Sequence, residues 1–128
     1  MLIKVAVGLI LRDEQVFIAL RHASQHQGGL WEFPGGKCEA SEAADVALAR
    51  ELQEECGIQV EACEHFDTIA HDYGDKQVEL IFFKVTDFTG EPSGSEGQEI
   101  RWVSITELAD YDFPEANVPI VKALMSDC

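Results

Sequence analysis

The stretch from residue 42 to residue 56 constrains the fold of this chain more than any other. Ser41 stands where an N-cap belongs, and Gly57 supplies a residue that ends a helix easily. Glu42 and Asp45 place negative charge in the first turn, where the helix dipole favours it. The sequence therefore predicts a helix over residues 42–56, set between segments rich in β-branched and aromatic residues that must supply strands for it to pack on.

Strand-like segments occur on both sides of this predicted helix. They cover residues 3–12, 15–22, 58–66, 67–73, 76–88 and 99–105, with a short extended piece inside the glycine-rich loop 23–37. A short helix over 106–113 and a longer one over 117–125 follow. Strands interrupted by helices predict an α+β fold, an α/β/α sandwich with a mixed sheet between helices. The 128 residues suit a single domain, 1–128.

Charge and composition exclude several classes of function. The net charge of −15 leaves no basic stripe that could replace the counterions of a nucleic-acid polymer. No segment approaches the roughly 20 apolar residues of a membrane span, and the apolar N-terminal stretch lacks a small-residue cleavage site. The four cysteines form no CxxC pair, so free thiols in a reducing cytoplasm are expected. We therefore expect a cytoplasmic protein with a small-molecule partner.

The predicted helix carries an acidic face near its C-terminal end. Glu51, Glu54 and Glu55 fall within about a third of its circumference at 100° per residue, while Leu48 and Leu52 lie beside them and can face a core. Like charges at this spacing repel by about 0.2–0.5 kcal/mol per pair, and the helix dipole adds to the penalty. Two interpretations stand: a solvated acidic face, or carboxylates gathered for a hard divalent cation such as Mg²⁺.

The spacing around this face decides between them. Residues 36–58 read GKCEASEAADVALARELQEECGI and match the Nudix box, G-x5-E-x7-R-E-U-x-E-E-x-G-U, where U is a bulky aliphatic residue. The defined positions are occupied by Gly36, Glu42, Arg50, Glu51, Leu52, Glu54, Glu55, Gly57 and Ile58. So many specified residues at fixed spacing rarely arise by chance, and the chain resembles a Nudix hydrolase.

That resemblance implies a fold and a metal site. In the family the box forms a catalytic loop–helix–loop on an α/β/α sandwich, and the enzymes hydrolyse a nucleoside diphosphate linked to another group. Glu51, Glu54 and Glu55 would bind catalytic Mg²⁺ or Mn²⁺, and the Gly36 carbonyl would be a further ligand. Arg50 would orient the glutamates.

The resemblance also assigns two supporting residues of the box. Glu42 would support the loop through hydrogen bonds or ion pairs, and Gly57 would end the helix directly after the ligands. Such contacts hold metal ligands in a productive geometry.

The resemblance extends over most of the chain toward the MutT branch of the family. EFPGGK before the box, GEPSGSEGQEIRWVSI and DYDFPEANVPIVKAL after it are similar to that branch. Its members convert oxidised purine nucleoside triphosphates, notably 8-oxo-dGTP, to the monophosphate and pyrophosphate, which sanitises the nucleotide pool for DNA replication. A monomer acting on a nucleoside triphosphate is therefore expected.

Residues outside the box gain roles from this similarity. Glu96 would supply a further metal ligand or the general base, or be an ordinary polar loop residue. Asn117 would read the purine O6/N7 edge through its carboxamide, which offers a donor and an acceptor, or cap the helix that follows. Phe33 would contact the base or serve only as core.

Four more residues complete the predicted nucleotide pocket. Arg21 would bind sugar or phosphate, and Gly35, next to Gly36, would allow close backbone approach. Lys37 would touch phosphate or be solvated. Lys76 stands where an arginine is expected to close over the nucleotide, and a lysine lacks that planar fork.

The sequence leaves three other functions open. GLWEFPGGK also occurs in relatives that hydrolyse pyrimidine nucleotides such as CTP or 5-methyl-dCTP, although Asn117 favours a purine. Tyr73 lies near the place where diadenosine-polyphosphate members carry a tyrosine. A non-catalytic Nudix-like binding domain is disfavoured, because such domains usually lose box glutamates and every defined position is present here.

Overall fold

The computed structural model describes residues 2–21, 29–94 and 97–126. The strands are β1 Leu2–Arg12, β2 Gln15–Leu20, β3 Trp31–Glu32, β4 Gly35–Lys37, β5 Gln59–Asp72, β6 Gln77–Thr89 and β7 Ile100–Ser104. The α-helices are α1 Ala44–Cys56 and α2 Val118–Ser126, and two 3₁₀ helices span Ile105–Asp110 and Glu115–Asn117.

The strands form one mixed sheet. Its main order is β3-β2-β1-β6-β5, with β4 paired to β1 and β7 paired to β2. The long central pair β1–β6 is parallel, whereas β5 pairs with β6, and β4 with β1, in the antiparallel sense. The predicted mixed sheet is confirmed.

Alternation along β1 divides the core into two layers. Ala6 and Ile10 point to one face of the sheet, where they join the cluster that contains Leu48 and Leu52 of α1. Val7 and Leu9 point to the other face and join the cluster of Ile120, Val121 and Leu124 of α2. Helices therefore cover both faces of the sheet, and the predicted α/β/α sandwich is confirmed.

The start of the predicted helix is wrong by two residues. α1 begins at Ala44 with Ala43 at the N-cap position, and no side chain caps it. Ser41 has a φ of 68°, so it lies in the preceding turn and cannot serve as the cap. The segment before Ala44 is instead a turn, in which the Glu42 N–H donates to the Glu39 carbonyl at 3.0 Å and the Glu42 carboxylate is bound by Arg50.

The predicted end of α1 is confirmed. Gly57 adopts a left-handed φ of 74°, and its N–H donates to the Gln53 carbonyl at 3.1 Å. Glycine reaches this conformation without steric cost.

Two further predictions are corrected, the division of residues 58–73 into two strands and the type of the helix over 106–113. The segments 58–66 and 67–73 form one continuous strand, β5, whose pairing with β6 shifts register at three places between Val60 and Asp67. Bulges of this kind bend a strand without ending it. The helix predicted over 106–113 is a 3₁₀ helix that stops at Asp110, because Tyr111 and Phe113 leave it to pack their rings on Trp31 and Phe33.

None of the helices in the three described stretches is long and apolar enough to cross a membrane.

Candidate functional site

The short strand β4 brings the helix carboxylates against two glycines. Gly36 pairs with Ala6 of β1, and a Cβ built on Gly36 would lie 2.3 Å from the Glu51 carboxylate carbon. The Gly35 N–H donates to Glu55 Oε2 at 3.3 Å. Both glycines therefore lie against carboxylates of α1, and only glycine permits this approach at residue 36.

Arg50 ties the loop before α1 to the acidic face. Its Nε and Nη2 donate to the two carboxylate oxygens of Glu42 at 3.0 and 2.9 Å, a bidentate pair. Nη1 donates to Glu51 Oε1 at 2.9 Å, and Nη2 also reaches the Lys37 carbonyl at 3.2 Å. The nearest Glu54 oxygen is 3.7 Å from Nη1. Arg50 thus holds Glu51 closely and Glu54 only loosely.

The ion pair between Glu42 and Arg50 shifts the pKa of both groups. The hydrogen bonds from Arg50, and then the Glu39 N–H at 2.9 Å, lower the pKa of Glu42 from 4.5 to about 2. Conversely, the Glu42 carboxylate raises the pKa of Arg50. Both groups are consequently charged at neutral pH, as their predicted supporting role requires.

We expect Glu42→Gln to destabilise the protein in a pH-dependent manner. Because the folded-state pKa of Glu42 is depressed, its contribution to stability is complete above pH 4.5 and is lost as the pH falls from 4.5 toward 2. Thermal melts of wild type and variant from pH 7 to pH 2 should show a Tm difference that shrinks across that window. Glu39→Gln, an exposed carboxylate of the same loop, controls for the change in net charge. A Tm difference that does not vary with pH would contradict the assignment.

The donor chemistry at this end of α1 suits a hard divalent cation. Glu51, Glu54, Glu55 and the backbone carbonyl of Gly36 offer only oxygen atoms, which Mg²⁺ and Mn²⁺ prefer. The carboxylates are directed at protein donors, Glu51 at Arg50 and Glu55 at Gly35. Over residues 2–21, 29–94 and 97–126, no three His, Cys, Asp or Glu side chains converge in a geometry that could hold a metal. The residues fit the cation by the chemistry of their donor atoms, and their metal-ligand role stays a prediction.

A cleft of about 340 Å³ opens on the other side of β4. Its lining combines apolar, glycine and charged residues from β1, the β2–β4 region, the β5–β6 hairpin and the segment before α2. Lining residues include Val5, Arg21, Glu32, Phe33, Gly35, Gly36, Lys37, Tyr73, Leu80 and Asn117. Five of the predicted nucleotide-binding residues besides Asn117 therefore line one cleft. Gly35 and Gly36 belong both to this cleft and to the contact with the carboxylates.

Phe33 and Asn117 occupy different parts of the lining. Phe33 is 5% exposed and stacks on Phe113 with ring centroids 5.0 Å apart, so it is both a core residue and a wall of the cleft. Asn117 ends the second 3₁₀ helix directly before α2, and its N–H donates to the Pro114 carbonyl at 2.9 Å. Its side chain is half-buried at the cleft, and base recognition there stays a prediction.

Arg21 reaches the cleft already bound to a carboxylate. Its Nη1 donates to Glu32 Oε2 of the neighbouring strand β3, and both side chains are about a quarter exposed. The sequence does not mark Glu32 as a functional residue. The strand pairing Leu20↔Trp31 and Ala19↔Glu32 brings the two residues together, and no local motif marks such a pairing.

The two other predicted cations differ in position. Lys37 lines the cleft, whereas Lys76 lies on the exposed β5–β6 turn and does not line it. Tyr73, from the same turn, lines the cleft instead. Glu96 lies outside the described residues, so its predicted role stays a prediction.

The cysteines in the described stretches give no nucleophile. Cys38, Cys56 and Cys63 are free thiols. Burial raises the pKa of each, that of Cys56 to about 12, so all three are protonated at neutral pH.

Comparison with known proteins agrees with this geometry. The model of a family described as NUDIX domain matches residues 6–123. The 8-oxo-dGTP diphosphatase of Escherichia coli (strain K12) is 39% identical over 123 residues, covering 95% of this chain and 95% of the relative. The CTP pyrophosphohydrolase of the same strain is 35% identical over 125 residues, covering 98% and 93%.

A solved structure extends the agreement to three dimensions. A structure from an analysis of MutT from Aliivibrio salmonicida and Vibrio cholerae superposes with a TM-score of 0.91 at 41% identity, over 100% of both chains. Nudix hydrolases act on small nucleotide substrates and generally need a divalent metal. With a family model over nearly the whole chain and a matching fold, this chain belongs to the NUDIX domain family.

Proposed function

We propose that this protein is an Mg²⁺-dependent nucleoside triphosphate pyrophosphohydrolase whose preferred substrate is 8-oxo-dGTP, which it converts to the monophosphate and pyrophosphate. The observation that carries the proposal is the position of β4. Gly35 and Gly36 line the cleft that holds Phe33 and Asn117, and the same two glycines touch Glu55 and Glu51. A base bound in the cleft therefore has its phosphates beside the acidic end of α1.

The residues of this chain divide the chemistry between them. Arg50 orients Glu51, and Glu42 fixes Arg50 through two hydrogen bonds. Glu51, Glu54, Glu55 and the Gly36 carbonyl would hold Mg²⁺ or Mn²⁺, which would neutralise phosphate charge and acidify a water molecule there. A carboxylate, from this group or from Glu96, accepts the proton of the water that attacks the β-phosphorus.

The cleft supplies binding and specificity. Phe33 gives an apolar wall, and Asn117 offers a donor and an acceptor to the purine edge. Arg21 is neutralised by Glu32, so it suits hydrogen bonds to a sugar better than attraction of phosphate, while Lys37 carries the positive charge toward the phosphates. We take the protein to act as a cytoplasmic monomer.

Pyrimidine triphosphates are the second candidate substrates, because the CTP pyrophosphohydrolase relative matches 98% of this chain. Values of kcat/KM for 8-oxo-dGTP, dGTP, CTP and 5-methyl-dCTP, measured at low substrate with Mg²⁺, separate the two. We expect a preference for 8-oxo-dGTP of at least about tenfold over each of the others, equivalent to about 1.4 kcal/mol. A smaller preference over dGTP would remove the assignment to oxidised purines, and the highest value on CTP would support the pyrimidine candidate.

Substitution of the two glycines should have different consequences. A Cβ on Gly36 meets the carboxylate of Glu51, the far end of a flexible side chain, so Gly36→Ala should displace that carboxylate and reduce kcat by about tenfold or more while the protein stays folded. A Cβ on Gly35 meets the Ala6 backbone oxygen at 2.1 Å, so Gly35→Ala should separate β4 from β1 and lower the Tm. Thermal melts and steady-state kinetics check both. Equal Tm losses for the two variants would contradict this distinction.

A further inference from the structure

The turn between β5 and β6 fixes the backbone of Tyr73. The Tyr73 N–H donates to the Lys76 carbonyl at 2.9 Å, which closes a four-residue turn. Gly74 has a φ of 95°, and its N–H donates to Asp72 Oδ1 at 2.8 Å. Because the turn is held by hydrogen bonds at both of these positions, the site from which the Tyr73 side chain projects is well defined.

The Tyr73 side chain lies in the nucleotide cleft. It lines the cleft with Phe33 and Asn117. Among the residues that the structure describes, it is one of four large hydrophobic residues left exposed, at 37% of its surface. A tyrosine ring presents a flat apolar face with a polar edge and loses little conformational entropy on binding, since it has two side-chain torsions. Such a ring at a cleft edge suits the planar heteroaromatic ring of a nucleotide.

Two neighbours on the same hairpin lie beside this ring. The Lys76 ammonium lies 6.0 Å from the Tyr73 ring centroid, at the outer limit of a cation–π contact. The His71 ring packs on Tyr73 with centroids 4.4 Å apart and a tilt of 57°. Lys76 itself does not line the cleft, so its contact with the cleft passes through Tyr73.

We propose that Tyr73 is a base-contacting residue of the cleft and that Lys76 is a positioning residue that acts through the Tyr73 ring, not through the phosphates. This inference rests on the proposed function, whose nucleotide it places against Tyr73. It replaces the closure of Lys76 over the nucleotide, which the sequence predicts, with a contact of the lysine on an aromatic ring.

The test is a double-mutant cycle on Tyr73 and Lys76, with kcat and KM measured on the best nucleotide of the substrate panel. Tyr73→Ala should raise KM by about 5- to 150-fold, the range of base–aromatic stacking, with kcat changed less than about threefold. Tyr73→Phe should restore KM to within about threefold of wild type, because the stacking face is kept. Asp75→Asn, an exposed carboxylate of the same turn, is the matched control.

The Lys76 arm of the cycle distinguishes the two roles of the lysine. Lys76→Met should raise KM by about two- to fivefold in the wild-type background and should have no further effect in the Tyr73→Ala background. The same loss in both backgrounds would mean that Lys76 contacts the nucleotide directly, which overturns the positioning role. Thermal melts of each variant confirm that KM is compared between folded proteins.

The outcome for the wild type separates this inference from the proposed function. A wild type that hydrolyses a nucleotide of the panel, with a KM that Tyr73→Ala leaves unchanged, overturns the assignment of Tyr73 alone. A wild type that neither binds nor hydrolyses any nucleotide of the panel overturns the proposed function and this inference together. Calorimetric titration with the nucleoside monophosphate product measures binding without turnover.

Discussion

Replacing Glu54 with glutamine should reduce kcat for pyrophosphate release by about 10²–10⁴-fold while leaving the fold intact. The substitution keeps the size of the side chain but removes the anionic oxygens that a divalent cation or a proton requires. Glu54 is 61% exposed and lies 3.7 Å from Arg50, and exposed ion pairs contribute only about 0–1 kcal/mol. Glu51, three residues earlier on the same face of α1, is also acidic, so loss of the Glu54 charge relieves repulsion. The free energy of unfolding should therefore change by less than about 1 kcal/mol.

Steady-state kinetics with Mg²⁺ and thermal melts on the same preparations check both parts of this prediction. Glu107→Gln is the matched control, because Glu107 is an exposed glutamate in the first 3₁₀ helix, away from β4 and α1. Activity of the Glu54 variant within threefold of wild type would exclude Glu54 from the catalytic group. A large loss of Tm would mean that Glu54 acts on the fold rather than on the reaction.

The acidic helix could be predicted from sequence because its evidence is local. Glu51, Glu54 and Glu55 share a face by helical periodicity alone, and Gly57 marks the end of α1 by its own conformational freedom. The start of the helix could not be placed in this way. The segment before Ala44 is a turn, in which the Glu42 carboxylate is bound by Arg50, eight residues further along the chain.

The cleft was only partly predictable because distant strands build it. Phe33, Gly35 and Lys37 lie in one glycine-rich segment, so the sequence could group them. Glu32 meets Arg21 through the pairing of β2 with β3, and Tyr73 enters through the β5–β6 hairpin, whose strand β5 was predicted as two strands. Bulges and pairing partners are properties of the sheet as a whole, and the residue pattern of one strand does not fix them.

The carboxylates and the cleft share β4, so binding and chemistry are coupled in space. The pairing of β4 with β1 sets the position of Gly36 relative to the Glu51 carboxylate. The residue after Gly36, Lys37, accepts a hydrogen bond from Arg50 through its carbonyl. A nucleotide that shifts β4 would therefore move both the cleft lining and the partners of Arg50. Gly35 and Gly36 can belong to both because they carry no side chain, so their backbone contacts the carboxylates and also lines the cleft.

Replacing Asn117 with alanine should reduce kcat/KM for 8-oxo-dGTP by about 5- to 150-fold, and for dGTP by much less. Oxidation at C8 converts N7 of guanine from an acceptor into an N–H donor, while O6 remains an acceptor. A carboxamide satisfies both groups at once, its oxygen accepting from N7–H and its nitrogen donating to O6. Unmodified guanine offers two acceptors there, so the carboxamide oxygen faces the acceptor N7 and makes no hydrogen bond. A good bidentate contact of this type discriminates by about 1–3 kcal/mol.

The structure supplies the control and the competing explanation for this prediction. Asn117 also ends the 3₁₀ helix before α2, so a purely structural role would lower the Tm and reduce kcat/KM equally for both nucleotides. Asn117→Asp keeps the acceptor for N7–H, the group that differs between the two nucleotides, and loses the donor to O6, which both nucleotides share, so it should lower kcat/KM for both while keeping a selectivity close to that of wild type. Glu115→Ala changes an exposed residue of the same 3₁₀ helix and should leave the selectivity unchanged. Because the expected effect is a ratio of two substrates measured on one protein, partial unfolding lowers both values together and cannot imitate it.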